Sequence, residues 1–283
     1  MVDYAFTYNG YTFGGAGAPV QIMGVQGLED TPQVRTADEV RGFTDGEFYG
    51  RDFLAGRAIS MDLLILAGPT GLRPVLETMK AALIPQGGGS TSTVPLSFNL
   101  PGIATRRVYC RLRRRALPIT LEYTHNHASA VVEFYAADPR IYDDVASNAQ
   151  VGLSGAGGGL TFNATPNLTF GTTAAPNTQV AMNAGNYNTK PVITITGPVD
   201  TPVVQNVTQG LSLKVNMALA AGDTLTLDTD TRSVVLNGTA SRRSSLSTDS
   251  VWFDLSPGPN TILYSAAAAT VSITYLTWRN AYI

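Results

Sequence analysis

Hydrophobic and polar positions alternate in short runs along most of this chain, and such alternation is typical of β-strands. The runs at Val20–Val25 and Ala58–Ala67 are clear examples. Near the start, Asn9-Gly10 lies between predicted strands at Tyr4–Phe6 and Tyr11–Phe13. Because Asn-Gly favours the type I′ turn, these two strands are predicted to form a hairpin.

One segment has a helical period instead. Five apolar residues recur at three- and four-residue steps and would line one face of a helix over Leu72–Leu83: Leu72, Val75, Leu76, Met79 and Leu83. Thr70 is a suitable N-cap and Pro85 would end the helix.

Between these elements, residues 28–50 are rich in charge and glycine and lack a period, which predicts a long loop or an extended arm. Further on, alternation predicts a strand at Arg107–Arg115. It also predicts a hairpin of Ile119–Tyr123 and Ala130–Ala136 around His125-Asn126-His127.

The chain changes character over residues 146–190, which are rich in Gly, Asn, Thr and Ala and nearly free of charge. We therefore predict two domains, 1–145 and 146–283, in a mainly β fold. The regular strands of the second domain are predicted at Pro191–Thr196, Pro202–Asn206, Ser212–Val215, Thr224–Asp228, Ser233–Leu236, Trp252–Asp254, Thr261–Tyr264 and Val271–Trp278. Many short strands at such spacing favour a sandwich or jelly roll.

Composition restricts the function classes. Hydrophobic residues make up 44% of the chain, enough for a buried core, while charged residues make up only 14%. The formal net charge of −2 gives no global basic field for nucleic acid or an anionic membrane. The single cysteine, Cys110, excludes an intrachain disulfide and is expected to be buried and inert. No signal peptide or membrane span is expected.

Three segments of the second half resemble the C-terminal domain of siphovirus-type distal tail proteins: NYNTKP at 186–191, AAGDTLTLDTDTRSVVLNG at 220–238 and DSVWFDLSPGPNTILY at 249–264. The first half is similar more loosely, through an early hairpin, a single helix and the strand end FYAADPRIY at 134–142. The family is one of phage tail-tip proteins.

The resemblance implies an N-terminal split β-barrel or sandwich with one helix, followed by a galectin-like β-sandwich. It implies a ring, usually of six copies, between the tail tube protein and the hub, fibre or receptor-binding proteins, with DNA passing through. The protein would be assembled in the cytoplasm of a bacterial host and located in the virion, at the tail tip. No enzyme activity, cofactor, metal or membrane is implied.

The basic cluster on one predicted strand is the first candidate site. Arg107, Arg111, Arg113 and Arg115 are predicted to contact a neighbouring subunit or to line the lumen, because arginine forms bidentate pairs with carboxylates. Contact with nucleic acid is the alternative. It is disfavoured because Tyr109 alone interleaves the arginines, whereas single-strand binding uses several stacking aromatics.

Trp252 and Trp278 are candidates for stacking on a sugar, which would make the second domain a carbohydrate-binding or adhesion module. Packing in the sandwich core is the preferred interpretation of both side chains. A glycan hydrolase would need two carboxylates facing each other about 5–10 Å apart. The sequence marks no such pair.

The remaining motifs favour structural interpretations. His125 and His127 could hold a metal, but no carboxylate or cysteine is near them in sequence, so a hairpin tip is expected. Ser154 and the run Gly155–Gly159 lack the strand and helix that a nucleophile elbow or a phosphate loop needs. Asp223, Asp228 and Asp230 are expected at turns; their spacing does not match a calcium-binding loop.

Overall fold

Twenty-five short strands, two 3₁₀ turns and one α-helix make up the described part of the chain in this computed structural model, which comprises residues 4–67, 71–85, 92–153, 177–267 and 272–283. The predicted mainly β fold is confirmed. Residues Met1–Asp144 together with Tyr282–Ile283 form one compact unit, and Val145–Ala281 form a second. No helix in the described residues is long and apolar enough to cross a membrane.

The elements of the first unit are β1 (Ala5–Tyr8), β2 (Tyr11–Gly14), β3 (Val20–Gln26), β4 (Val34–Arg35), β5 (Glu39–Val40), β6 (Glu47–Phe48), β7 (Phe53–Leu54), β8 (Arg57–Leu66), α1 (Leu72–Ala82), β9 (Val94–Asn99), β10 (Arg106–Ala116), β11 (His127–Ala136) and β12 (Ile141–Asp143). Its main sheet has nine strands: the order β2-β1-β9-β10-β11-β8-β3 is continuous, and β12 pairs with β10 and with β25 (Ala281–Tyr282).

The sequence pattern explains how this core is filled. Alternate residues of β8 and β11 are buried, as their alternation predicts. The helix α1 contributes Leu72, Leu76 and Met79 to the same hydrophobic cluster as these strands. Asn9 and Gly10 both have positive φ, at 48° and 79°, which agrees with the type I′ turn predicted between β1 and β2. Thr70, the predicted N-cap, lies outside the described residues.

The second unit is a sandwich of a six-stranded sheet, β13-β24-β15-β20-β21-β22, and a four-stranded sheet, β14-β23-β17-β18. Its strands are β13 (Ser147–Gly152), β14 (Thr178–Asn183), β15 (Val192–Thr196), β16 (Val199–Asp200), β17 (Val203–Asn206), β18 (Leu211–Lys214), β19 (Ala218–Leu219), β20 (Thr224–Asp228), β21 (Ser233–Leu236), β22 (Ala240–Ser241), β23 (Gly258–Ser265), β24 (Ile273–Trp278) and β25 (Ala281–Tyr282), whose Tyr282 belongs to the first unit. Inward side chains of both sheets share one core cluster.

Two predicted strands are wrong. Leu121–His125 is a 3₁₀ turn, so the predicted strand at Ile119–Tyr123 is not formed; the hairpin is made by β10 and β11 instead. Ile119 is 83% exposed, so the apolar alternation there has no core to face. Residues Trp252–Asp254 are irregular, and Leu255 forms only an isolated bridge to Thr189. Apolar alternation predicts a strand only where a neighbouring strand is available to pair with it.

Candidate functional site

The predicted arginine strand is β10, and a β-bulge divides it. Val108, Cys110 and Leu112 are buried on one face of the strand. The register with β11 shifts between Leu112 and Arg114, so the alternation changes there. Arg114 is therefore exposed rather than continuing the buried face.

Three of the four candidate arginines make bonds within their own unit. Arg107 pairs with Asp144 through Nη2 and Nε at 2.8 and 2.9 Å. Arg111 donates to the carbonyl of Ser92 at 3.0 Å, and Arg115 donates to the carbonyls of Lys80 and Leu83 at the end of α1, at 3.0 and 2.8 Å. These bonds fasten β10 to the strand and helix beside it.

Arg113 and Arg114 are the more accessible members of the cluster. The guanidinium of Arg113 lies 5.1 Å from the ring centroid of Tyr135. Arg114 makes an exposed ion pair with Glu133 at 3.3 Å. Arg113 lines an open groove of about 410 Å³ together with Asp30, Glu133 and Tyr135. An interface or lumen role for the arginine strand remains a prediction.

The two tryptophans occupy different environments. Trp278 is 5% exposed, and its indole N–H donates to the carbonyl of Met182 at 3.1 Å. Trp252 is partly buried and packs against the core of the sandwich. In the described part of the second unit, Tyr275 is instead an aromatic side chain with substantial exposure, 40%.

The candidate metal and catalytic residues named from the sequence, where the structure describes them, do not converge on one site. His125 and His127 are exposed, and no three His, Cys, Asp or Glu side chains in the described residues could hold a metal ion together. Asp223 binds its own turn: hydrogen bonds from the Asn237 side chain and the Ala220 backbone N–H lower the pKa of its carboxyl group. Ser154 and Gly155–Gly159 lie outside the described residues.

The sequence predicted a long loop or an extended arm over residues 28–50, and the structure has short strands in the segment Val34–Leu54, here called the arm. Its two short ladders pair β4 with β7 and β5 with β6, and no other described strand pairs with them. The Asp38 carboxylate accepts a hydrogen bond from the Gly50 N–H at 2.7 Å and fastens the two halves together. The arm is therefore a defined ribbon rather than an irregular loop.

The arm exposes an unusual amount of apolar surface. Phe43 and Tyr49 are fully exposed, at 104% and 100%, and Val40, Phe48 and Phe53 are 77%, 60% and 54% exposed. The signal available in the sequence was the presence of several aromatic residues within a charged, glycine-containing segment that has no helical or strand period.

A buried arginine holds the root of the arm. Arg57 is 2% exposed, and its Nη1 donates to the carbonyls of Gly27, Leu28 and Asp30 at 3.0, 2.5 and 2.6 Å. Its Nε donates to the carbonyl of Pro139 at 3.0 Å. Burial lowers the pKa of the Arg57 guanidinium, and the nearby charge of Asp30 partly opposes that effect.

Comparison with known proteins agrees with this architecture. Residues 184–282 match the family described as "Siphovirus-type tail component, C-terminal domain". The crystal structure of the SPP1 Dit protein, described as a paradigm of the hub adsorption apparatus in phages that infect Gram-positive bacteria, matches with a TM-score of 0.66. The match has 16% identity and covers 97% of this chain and 98% of that one.

A second solved structure, the baseplate of phage P2 in its activated conformation with Ca, matches with a TM-score of 0.52 and 10% identity over 98% of each chain. No curated protein matches. The chain is thus similar to siphovirus-type distal tail proteins, in the sequence of its second unit and in the fold of nearly its whole length. The resemblance drawn from the sequence is confirmed.

Proposed function

We propose that this chain is a structural component of the tail tip of a long-tailed phage. Its first unit would assemble into a closed ring, usually of six copies, that joins the tail tube protein to the hub and receptor-binding proteins. The observation that carries this proposal is that the match to one solved tail protein extends over both units at once, while the family segment at 184–282 lies, except for Tyr282, in the second unit.

The geometry supports a structural role because most of the candidate side chains form bonds within the fold. Three of the four candidate arginines bond to neighbouring elements of their own unit. Asp223 and Asp228 accept hydrogen bonds from the turns in which they lie. We therefore propose that the protein acts by shape and assembly, without enzymatic turnover. DNA would pass through the ring during infection.

Glycan binding by the second unit is the alternative. One observation favours Tyr275, rather than either tryptophan, as the residue that would stack on a sugar. The partly exposed Tyr275 is in register with Gln150 on one neighbouring strand and with Thr194 on the other. An aromatic ring flanked by uncharged hydrogen-bonding groups suits a neutral sugar. Loss of glycan-array binding on Tyr275→Ala, with none lost on Trp252→Phe, would support this function.

The proposed tail-tip role is tested by imaging and by labelling. Particles of the purified chain should appear as closed rings with a central channel, and native mass spectrometry should give the copy number. Antibody against the second unit should label the distal end of the virion tail. A chain that stays monomeric at its highest soluble concentration, together with virions whose tail tips remain unlabelled, would refute the proposal.

A further inference from the structure

Two exposed apolar surfaces lie at opposite ends of the strands that form the sheet of the first unit. The arm leaves the sheet beside the start of β8, where Arg57 is in register with Ala136. At the far end of β8, Leu66 is in register with His127, at the start of β11. Because β8 has ten residues, these ends are roughly 30 Å apart.

The far end carries its own exposed apolar side chains, here called the rim. Ile119 and Leu121, in the β10–β11 connection, are 83% and 78% exposed, and Ile84 and Leu66 are 62% and 40% exposed. Connection and strand are held together there, because the Ala67 N–H donates to the carbonyl of Asn126 at 3.1 Å.

Ile84 belongs to the same end of the unit. It follows Leu83, whose carbonyl accepts a hydrogen bond from Arg115 shortly before the β10–β11 connection. The rim therefore consists of Leu66, Ile84, Ile119 and Leu121 from three different segments.

The apolar area on the arm is of the size that a stable interface needs. Its four aromatic side chains, at the exposures given above, present on the order of 500–800 Å². A standard interface buries about 800 Å² on each partner, whereas monomers rarely expose patches of more than a few hundred. The ribbon has two-residue ladders with unpaired outer edges, and such ribbons are marginally stable alone.

We propose that the arm of one copy docks on the rim of the next copy. This inference rests on the proposed ring and names the surfaces that build it. Because arm and rim are different surfaces at opposite ends of one sheet, the contact is heterologous, and such contacts propagate head to tail until rotation closes them. Arg57 holds the arm root to the carbonyls of Gly27, Leu28 and Asp30, so the arm leaves the sheet in a fixed direction.

The test uses full-length chains with one surface disabled. An arm variant carries Phe43→Asp and Tyr49→Asp; a rim variant carries Ile119→Asp and Leu121→Asp. All four side chains are 78–104% exposed, so unfolding midpoints should match the unaltered chain. Each variant alone should be monomeric by native mass spectrometry, with association weakened at least about 100-fold.

The decisive experiment is a mixture of the two variants. The rim variant keeps an intact arm, and the arm variant keeps an intact rim, so an equimolar mixture should form one-to-one dimers and nothing larger. This dimer also shows that both variants are folded. Val207→Asp, at a 47% exposed position of the second unit, is the matched control and should assemble normally.

Three outcomes would overturn the inference. A mixture that stays monomeric, or an arm variant that still forms rings, would show that the arm and rim do not meet. A rim variant that dimerises alone would show arm-to-arm pairing instead. In each of these cases the unaltered chain still forms a ring and the proposed function survives. An unaltered chain that never associates would overturn the ring and this interface together.

Discussion

Replacement of Arg57 by methionine tests how the arm is fixed to the sheet. The substitution removes the guanidinium and keeps an apolar stem of similar length in a site that is 2% exposed. Four backbone carbonyls then lose their donor: those of Gly27, Leu28, Asp30 and Pro139. Pro139 is 82 residues away from Arg57, so the bonds also hold together segments that are distant in sequence.

The expected loss follows from the cost of unsatisfied buried acceptors. Each carbonyl left without a partner costs about 1–3 kcal/mol, although water that enters the site recovers part of it. The native side chain is itself imperfectly satisfied, because Nη2 is buried without a hydrogen-bond partner among the described residues. We therefore expect Arg57→Met to lower the free energy of unfolding of the first unit by about 3–5 kcal/mol.

The assay exploits the position of the tryptophans. The chain has two, Trp252 and Trp278, and both lie in the second unit. Tryptophan emission during urea unfolding therefore reports the second unit, and amide hydrogen exchange of β8 and β11 reports the first. With a denaturant slope of about 2 kcal/mol per M, the first-unit midpoint should fall by about 2 M while the emission midpoint stays unchanged.

Arg57→Lys is the matched control. Lysine keeps the charge but offers one compact ammonium group, which cannot serve both the Nη1 carbonyls and the Pro139 carbonyl, so an intermediate loss is expected. A first-unit loss below about 1 kcal/mol for Arg57→Met would refute the reasoning, because the carbonyls would then be satisfied without the guanidinium.

Three further predictions concern single side chains. Burial raises the pKa of the Cys110 thiol from 9.0 to about 12, so its stabilising contribution is complete below pH 9 and is lost as the pH rises towards 12. The free energy of unfolding of the first unit, measured by urea titration, should therefore fall by about 1.4 kcal/mol between pH 8 and pH 10. Cys110→Ala should remove that fall. Arg115→Ala should destabilise the first unit by about 1–3 kcal/mol because two carbonyls at the end of α1 lose their donor, whereas Arg113→Ala should change stability by less than about 0.5 kcal/mol; equal effects in hydrogen exchange would contradict this. Trp278→Ala should cost the second unit about 3–5 kcal/mol by calorimetry, and a loss under 1 kcal/mol would show that the indole is not part of the core.

Much of the fold could be predicted from the sequence where a local pattern and a punctuating turn agree. The strands Thr224–Asp228 and Ser233–Leu236 have the bounds that alternation predicts. The helix predicted over Leu72–Leu83 is found at Leu72–Ala82. The strand predicted at Ile119–Tyr123 is not formed, and the reason is physical. Apolar alternation indicates a face that is more stable when covered, but it does not indicate whether another part of the same chain covers that face.

The features of greatest consequence in the first unit leave a weaker signal. Arg57 binds backbone carbonyls, which every residue type carries, so no pattern of side chains marks its partners. The β-bulge between Leu112 and Arg114 depends on the pairing with β11 and changes the faces on which the last arginines lie. Sequence reasoning therefore identified the arginines as a group but could not separate those that fasten β10 from those that face solvent.

The arm and the rim show what such unexplained apolar residues imply when they are placed in space. Phe43 and Ile119 each depart from the expectation for a stable monomer, since each is a large apolar side chain exposed to water. In one copy each is a liability for aggregation. In the proposed head-to-tail ring every arm would dock on a rim and none would be left over, so the same residues would stop growth at a fixed size. The copy number would then be set by the angle between successive sheets, and not by any residue that a sequence pattern could mark.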